Sequence, residues 1–155
     1  MSTNQFRVLR GSIIAMQILL FLQFELGMTV NMSDPPAIPP FAFSLPQVLD
    51  AINGVGVVAR LHAGLGVILL LLAVVILLLS LPSGIRRVQV YGVLAFLTIA
   101  VAAGGGLFFV LSGFQDNHSG HAMATNFIVS FALYFLELYA LKPGAAASTS
   151  ADPVA

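Results

Sequence analysis

Four long apolar runs, separated by short polar segments, dominate the chain. They cover about residues 11–30, 57–81, 88–111 and 122–141. Each is close to the roughly 20 residues that a helix needs to cross the hydrocarbon core of a bilayer. Lipid offers the backbone no hydrogen-bond partner, and the period-two alternation of membrane β-strands is absent, so these runs should be α-helices. The pattern predicts an all-α integral membrane four-helix bundle, a single domain over residues 1–142.

The segments outside these runs are short, except for an outer loop over residues 31–56. Paired prolines in the first part of this loop exclude a regular helix there. Its later part, Ser44–Asn53, has apolar residues at the spacing of a short amphipathic helix: Leu45, Val48, Leu49 and Ile52. We expect this helix to cap the outer end of the bundle. The Ala- and Ser-rich tail, residues 143–155, is expected to be disordered on the cytoplasmic side.

The composition narrows the class of protein further. Hydrophobic residues make up 59% of the chain and charged residues only 8%, against about 25% charged in an ordinary soluble domain. So few charges exclude a soluble globule and a disordered chain. Six basic residues also cannot form a surface for nucleic acid. Cysteine is absent, which excludes disulfides and thiolate chemistry.

The placement of the charges predicts the orientation. Five of the six basic residues fall on one side of the predicted spans, namely Arg7, Arg10, Arg86, Arg87 and Lys142. Only Arg60 falls on the other side. The positive-inside rule therefore places both termini in the cytoplasm. The chain is expected to be a multi-pass protein of the plasma membrane, with the lipid bilayer as its first partner.

Two histidines suggest a cofactor at the outer end. His62 and His121 open the second and fourth spans, which run in the same direction, so both should lie at a similar depth. Gly66 follows one turn below His62, and Gly104–Gly106 lie at about that depth in the third span. An axial nitrogen ligand and room for close backbone approach are what a haem requires. The alternative without a cofactor is that the glycines only allow close helix packing and that the histidines are solvated residues at the membrane interface.

A second arrangement involves His118. Together with His121 and the neighbouring Asp116 it forms a His-x-x-His pair beside a carboxylate, a minimal donor set for copper or zinc. This alternative competes with the haem interpretation for His121. His118 is therefore kept as an alternative metal ligand.

The remaining ionisable residues at membrane depth have several interpretations. Arg60 could bind a haem propionate, pair with Glu25, or extend to the headgroups. Glu25 shares a helix face with Gln17 and Phe21, and this stripe should face the interior because lipid penalises it. Glu25 could then carry a proton or form an ion pair. For Glu137, near the inner end of the fourth span, extension to the interface is the favoured interpretation.

This layout resembles the haem A synthase family and, more broadly, four-helix membrane b-type cytochromes. In haem A synthases each four-helix half carries one histidine near the outer end of its second helix and one in its fourth. Here His62 and His121 occupy those positions, and the resemblance covers about residues 11–141. It implies haem ligation by both histidines. The family usually has an acidic residue three positions before the second-helix histidine, where this chain has Ala59, and this departure favours electron transfer over haem A synthesis.

The sequence thus predicts a small membrane protein that binds haem b near the outer face and transfers electrons. Cofactor contacts are expected from His62, His121, Arg60 and Gly66. A quinol or a membrane oxidase complex would be its redox partner, and a second copy of the chain a further partner. Two alternatives stay open: a cofactor-free accessory subunit of a larger respiratory membrane complex, and a half-size haem A synthase-like enzyme. Whether the protein is an enzyme at all is left open.

Overall fold

A computed structural model describes residues 2–33 and 37–141, and within these ranges the chain forms helices and no strands. The helices are α1 (Thr3–Met32), α2 (Leu45–Val55), α3 (Val57–Ser80), α4 (Arg86–Leu111) and α5 (Asn117–Ala140). A short 3-10 turn, Leu81–Ser83, follows α3. The long helices α1, α3, α4 and α5 are each long and apolar enough to cross a membrane. The prediction of an all-α chain with four span-sized helices is confirmed.

The four long helices form an antiparallel bundle in which each packs against two neighbours, in the cyclic order α1, α3, α4, α5. Between α4 and α5, Thr98 Oγ1 lies 2.7 Å from Ser130 Oγ. Between α1 and α5, the Gln17 side-chain amide donates to the carbonyl of Phe131 at 2.9 Å. Below, "termini end" means the end where α1 and α4 begin and α3 and α5 finish. "Cap end" means the opposite end, which carries α2.

Two of the long helices begin earlier than the apolar runs predict. At the start of α1 the Ser2 hydroxyl accepts from the backbone N–H of Gln5, whose side chain accepts in return from the Ser2 N–H. This capping box satisfies amide groups of the first turn and starts the helix at Thr3 rather than near residue 11. Asp116 is the N-cap of α5, and its carboxylate accepts from the backbone N–H of His118. His118 therefore lies in the first turn of α5, ahead of the predicted apolar run 122–141.

The loop between α1 and α3 folds over the cap end as predicted. Its helix α2 packs against α3 and α4, and Ile38 and Phe41 donate backbone hydrogen bonds to the carbonyls of Gly113 and Leu111. Gly56 joins α2 directly to α3 with φ of 120°, a conformation that glycine adopts without steric cost. The predictions for the Asp34–Pro36 turn, for Lys142 and for the tail 143–155 lie outside the described residues.

One stripe of residues on each long helix faces the bundle interior, at alternating spacings of three and four. This spacing keeps a single face of a helix turned toward its neighbours over several turns. Most of the buried members lie between the termini end and the middle of the bundle: Leu9, Ile13, Met16 and Leu20 on α1, Leu69, Ala73, Ile76 and Ser80 on α3, Val88, Gly92, Ala95 and Ile99 on α4, and Ser130, Tyr134 and Glu137 on α5. The hydrophobic core is therefore off-centre along the bundle axis.

Gly92 sets the distance between α3 and α4 at the termini end, because a Cβ atom there would lie 2.9 Å from the Cβ of Ser80. We expect Gly92→Ala to destabilise the folded protein by about 1–3 kcal/mol through overpacking. At Gly104, on the same helix, a Cβ atom would meet no neighbouring atom within 4 Å. Gly104→Ala should therefore be neutral or stabilise by up to about 1 kcal/mol, the helix-propensity gain. The free energy of unfolding of both variants can be measured in detergent by circular dichroism. An equal change in the two variants would contradict the packing at Gly92.

Candidate functional site at the cap end

The interior of the bundle changes character toward the cap end. The same inward stripe continues there with polar and small residues, and most of them keep partial exposure: Gln23 and Gly27 on α1, His62 and Gly66 on α3, Ala102 and Gly106 on α4, and Met123 and Asn126 on α5. Ala59 and Ser119 are the buried residues of α3 and α5 in this half. The cap-end interior is thus more polar and less completely buried than the termini end, although Gly27, Gly105 and Gly106 bring neighbouring helices into close contact there as well.

His62 lies in this interior, at the contact between α3 and α1. A Cβ atom on Gly27 would come within 2.9 Å of the imidazole Cε1, so the absence of a side chain at Gly27 makes room for the ring. The ring Nε2 lies 3.4 Å from the side-chain nitrogen of Gln23, a long and therefore weak contact. The other ring nitrogen, Nδ1, is buried and has no hydrogen-bond partner. His62 therefore has unused hydrogen-bonding and ligand capacity inside the protein.

Gly66 also serves the contact between α3 and α1. A Cβ atom at this position would lie 3.4 Å from the side-chain nitrogen of Gln23. The side chain of Gln23 thus occupies the space that was expected to admit a macrocycle. The side-chain oxygen of Gln23 is itself buried without a partner. In this arrangement His62, Gln23, Gly27 and Gly66 form one compact polar contact, here called the His62 cluster.

His121 is not part of the His62 cluster. Its side chain is exposed on α5. Because α5 packs against α4 and α1, it stands across the bundle from α3 rather than beside it. The predicted pairing of His62 and His121 as two axial ligands is thus not assembled, and would need His121 to turn inward.

Asp116 and His118 do not gather around a common point either. His118 is exposed, and both carboxylate oxygens of Asp116 are used locally, one by the backbone N–H of His118 and one by the Ser119 hydroxyl. The bond from Ser119, helped by the backbone N–H groups of the first turn, holds the pKa of Asp116 below its ordinary value despite opposing desolvation. Among residues 2–33 and 37–141, no group of three or more His, Cys, Asp or Glu side chains is placed to hold a metal ion.

Arg60 and Glu25 are both exposed, and no ion pair joins them in the described part of the chain. The prediction that Gln17, Phe21 and Glu25 share an inward face is wrong beyond Gln17, since Phe21 is 57% exposed and Glu25 is exposed too. Successive steps of four residues drift by about 40° around a helix of 3.6 residues per turn. The inward face of α1 instead continues to Gln23 and Gly27.

The sequence missed one buried polar group, at the termini end. Glu137, expected to extend to the interface, is 0% exposed. Its Oε1 lies 2.5 Å from the Ser80 hydroxyl, and Gly92 leaves the space beside it. Its Oε2 has no partner, and neither has the buried hydroxyl of Tyr134 one turn earlier. The sequence did carry a signal for it in the spacing of polar residues. Asn126, Ser130 and Glu137 are polar and fall on one face of α5, and that face is the inward one.

Comparison with known proteins identifies no relative: no family model matches the chain, and neither a curated protein nor a solved structure is similar to it at a significant level. The likeness to haem A synthases therefore stays a prediction from layout and from two histidines. Any function has to be inferred from the geometry of the site.

The three histidines should differ in reactivity if the His62 cluster is formed. We expect diethylpyrocarbonate to modify the exposed His118 and His121 rapidly and the half-buried His62 several-fold more slowly, as measured by mass spectrometry of the folded protein in detergent. Gly27→Ala should push the His62 ring out of its position and raise its rate. Gly64→Ala is the matched control, because nothing lies within 4 Å of a Cβ there. Equal rates at all three histidines would refute this placement.

Proposed function

We propose that the protein is a small multi-pass membrane protein that binds one b-type haem in the cap-end interior through His62 and serves electron transfer. One observation carries the proposal. Most of the buried core lies toward the termini end, while the cap-end interior holds an imidazole with a buried, unpartnered ring nitrogen. Unpaired polar atoms in a membrane interior are costly, and natural proteins keep them mainly where a ligand or a function uses them.

The free ring nitrogen of His62 suits a haem held by a single protein histidine, and the Gln23 side chain beside Gly66 would have to move to admit it. The contact between His62 and Gln23 is weak enough to be exchanged for a stronger bond. A bound haem would supply one-electron chemistry through its iron. The protein would supply the imidazole and, from Arg60, a guanidinium suited to a propionate. His121 would complete a bis-histidine site only after turning inward, and His118, on the same exposed surface, is the alternative.

We further propose that the termini end faces the cytoplasm and that the membrane is the plasma membrane. Arg7 and Arg10 in the first turns of α1, and Arg86 and Arg87 at the start of α4, all lie at the termini end, whereas Arg60 lies at the cap end. This distribution follows the positive-inside rule. The haem would then lie toward the outer face, where a quinol or an oxidase subunit could exchange electrons with it.

Absorption spectroscopy of the purified full-length protein, expressed with added haem precursor, tests the proposal. We expect a reduced-minus-oxidised spectrum with a sharp α-band, and its loss in His62→Ala because the iron loses its ligand. His118→Ala and His121→Ala test the two candidate second ligands on the exposed surface. A reduced or shifted α-band in only one of them would identify the second ligand. A folded protein that takes up no haem, or a His62→Ala variant with an unchanged spectrum, would reject the proposal.

A second candidate function is an accessory subunit without a cofactor. It is favoured by the exposed ionisable residues on the outside of the bundle, above all Glu25. This residue lies seven positions before the end of α1, about 10 Å along the helix at 1.5 Å per residue. A carboxylate facing lipid at that depth is unfavourable, and a neighbouring subunit would shield it.

This candidate makes a separate prediction. Isolated from native membranes in mild detergent, the protein should copurify with a larger membrane complex without haem absorbance of its own. Glu25→Leu should weaken that association if Glu25 contacts a polar group of the partner. Asp50→Leu, an exposed acid on α2, is the control. A chain that migrates alone under these conditions contradicts the accessory role.

A further inference from the structure

Glu137 stands apart from the proposed haem site and has an environment of its own. It lies on α5 near the termini end, is 0% exposed, and is enclosed by Ser80 of α3 and Gly92 of α4. Burying a charged carboxylate is expensive unless several donors satisfy it. Glu137 has a single neighbour within hydrogen-bond distance, and its second oxygen has none in the described structure.

The hydrogen atoms around Ser80 cannot satisfy an ionised Glu137. The Ser80 oxygen lies 2.7 Å from the carbonyl oxygen of Ile76 and 2.5 Å from Oε1 of Glu137. A carbonyl and a carboxylate only accept, and a serine hydroxyl has one proton to donate. With an ionised glutamate, one of the two contacts would therefore have no proton. With a protonated glutamate, Glu137 donates to Ser80 and Ser80 donates to Ile76, so both contacts become hydrogen bonds.

No cation stabilises the ionised form in the described part of the chain. The titratable neighbour of Glu137 is Tyr134, whose buried hydroxyl is neutral and unpartnered. Helix α3 contributes Ser80, and α4 contributes Gly92 to the contact. The basic residues of the helices packed against α5 at this end are exposed, namely Arg7, Arg10, Arg86 and Arg87. The surroundings of Glu137 therefore favour the neutral acid.

We propose that Glu137 is a proton-binding site of this protein: it is held as a carboxylic acid inside the bundle at neutral pH, with Ser80 as hydrogen-bond acceptor, and exchanges its proton with the aqueous phase at the termini end. The ligand is the proton itself. The site is three residues from the end of α5, roughly 5 Å along the helix, so one turn separates it from that phase. This site does not depend on haem binding at the cap end.

The chain permits a direct test, because it contains only two glutamates, Glu25 and Glu137. The protein is produced with carboxyl-¹³C-labelled glutamate, reconstituted in lipid, and examined by isotope-edited infrared spectroscopy. In Glu25→Gln the only labelled side chain is Glu137. We expect its carbonyl band at the position of a protonated acid at pH 7, where a carboxyl group in water is ionised. The band should convert to carboxylate bands as the pH is raised.

Glu137→Gln is the matched control, in which Glu25 is the only labelled side chain. It should lack the acid band that Glu25→Gln retains, and glutamine keeps a donor for the Ser80 oxygen, so folding should be preserved. Ser80→Ala, which removes the acceptor, should shift the Glu137 acid band because that hydrogen bond is lost. A labelled Glu137 that shows carboxylate bands alone at pH 7 would overturn the proposal. An acid band that persists unchanged at every pH tested would also overturn it, since the proton would then not exchange.

Discussion

Close contact between helices is the constraint on which the rest of this structure depends. Within a bilayer, lipid tails are as apolar as leucine, so helices gain little from hiding apolar surface and associate through tight packing and interhelical hydrogen bonds. The alternating spacing of three and four residues turns one stripe of each long helix inward. The stripe carries small residues at Ala73, Gly92 and Ala95, which let the helices approach closely. A Cβ atom on Gly92 would lie 2.9 Å from the Cβ of Ser80. Gly27 and Gly105 permit similarly close contacts at the cap end, with His62 and with Met123.

The same stripe gives the two ends different properties. At the termini end it is filled by buried side chains, while at the cap end it carries half-buried polar and small residues. Five buried side-chain atoms in the described part of the chain have no hydrogen-bond partner, and each belongs to an inward-facing residue: Gln17, Gln23, His62, Tyr134 and Glu137. Each such atom costs about 1–3 kcal/mol if nothing satisfies it. Gln23 and His62 form a cap-end group, Tyr134 and Glu137 form a termini-end group, and Gln17 lies between them beside Phe131.

The sequence predicts the number and type of the elements well, because apolar runs of span length have few alternatives to a helix. It predicts the ends less well, since Ser2 and Asp116 start α1 and α5 through side-chain caps that hydropathy does not register. Helix faces are the weakest point. A helix that is apolar all round gives no periodic signal for its inward side, so only polar residues indicate it. For Gln17 that indication was correct; for Glu25 and Glu137 the assignments were reversed.

The separation of the two polar groups limits how they can act together. Along α3, His62 and Ser80 are about 27 Å apart at 1.5 Å per residue, and the stripe between them carries the buried side chains of Leu69, Ala73 and Ile76. A proton needs a chain of polar groups or water to move through protein. These side chains of α3 offer none, and the inward polar groups at that level are Thr98 of α4 and Asn126 and Ser130 of α5. An electron, by contrast, would enter and leave at the cap end. The proposed exchange of the Glu137 proton is therefore with the nearby aqueous phase at the termini end, whereas the proposed haem site at His62 lies toward the opposite end of the bundle.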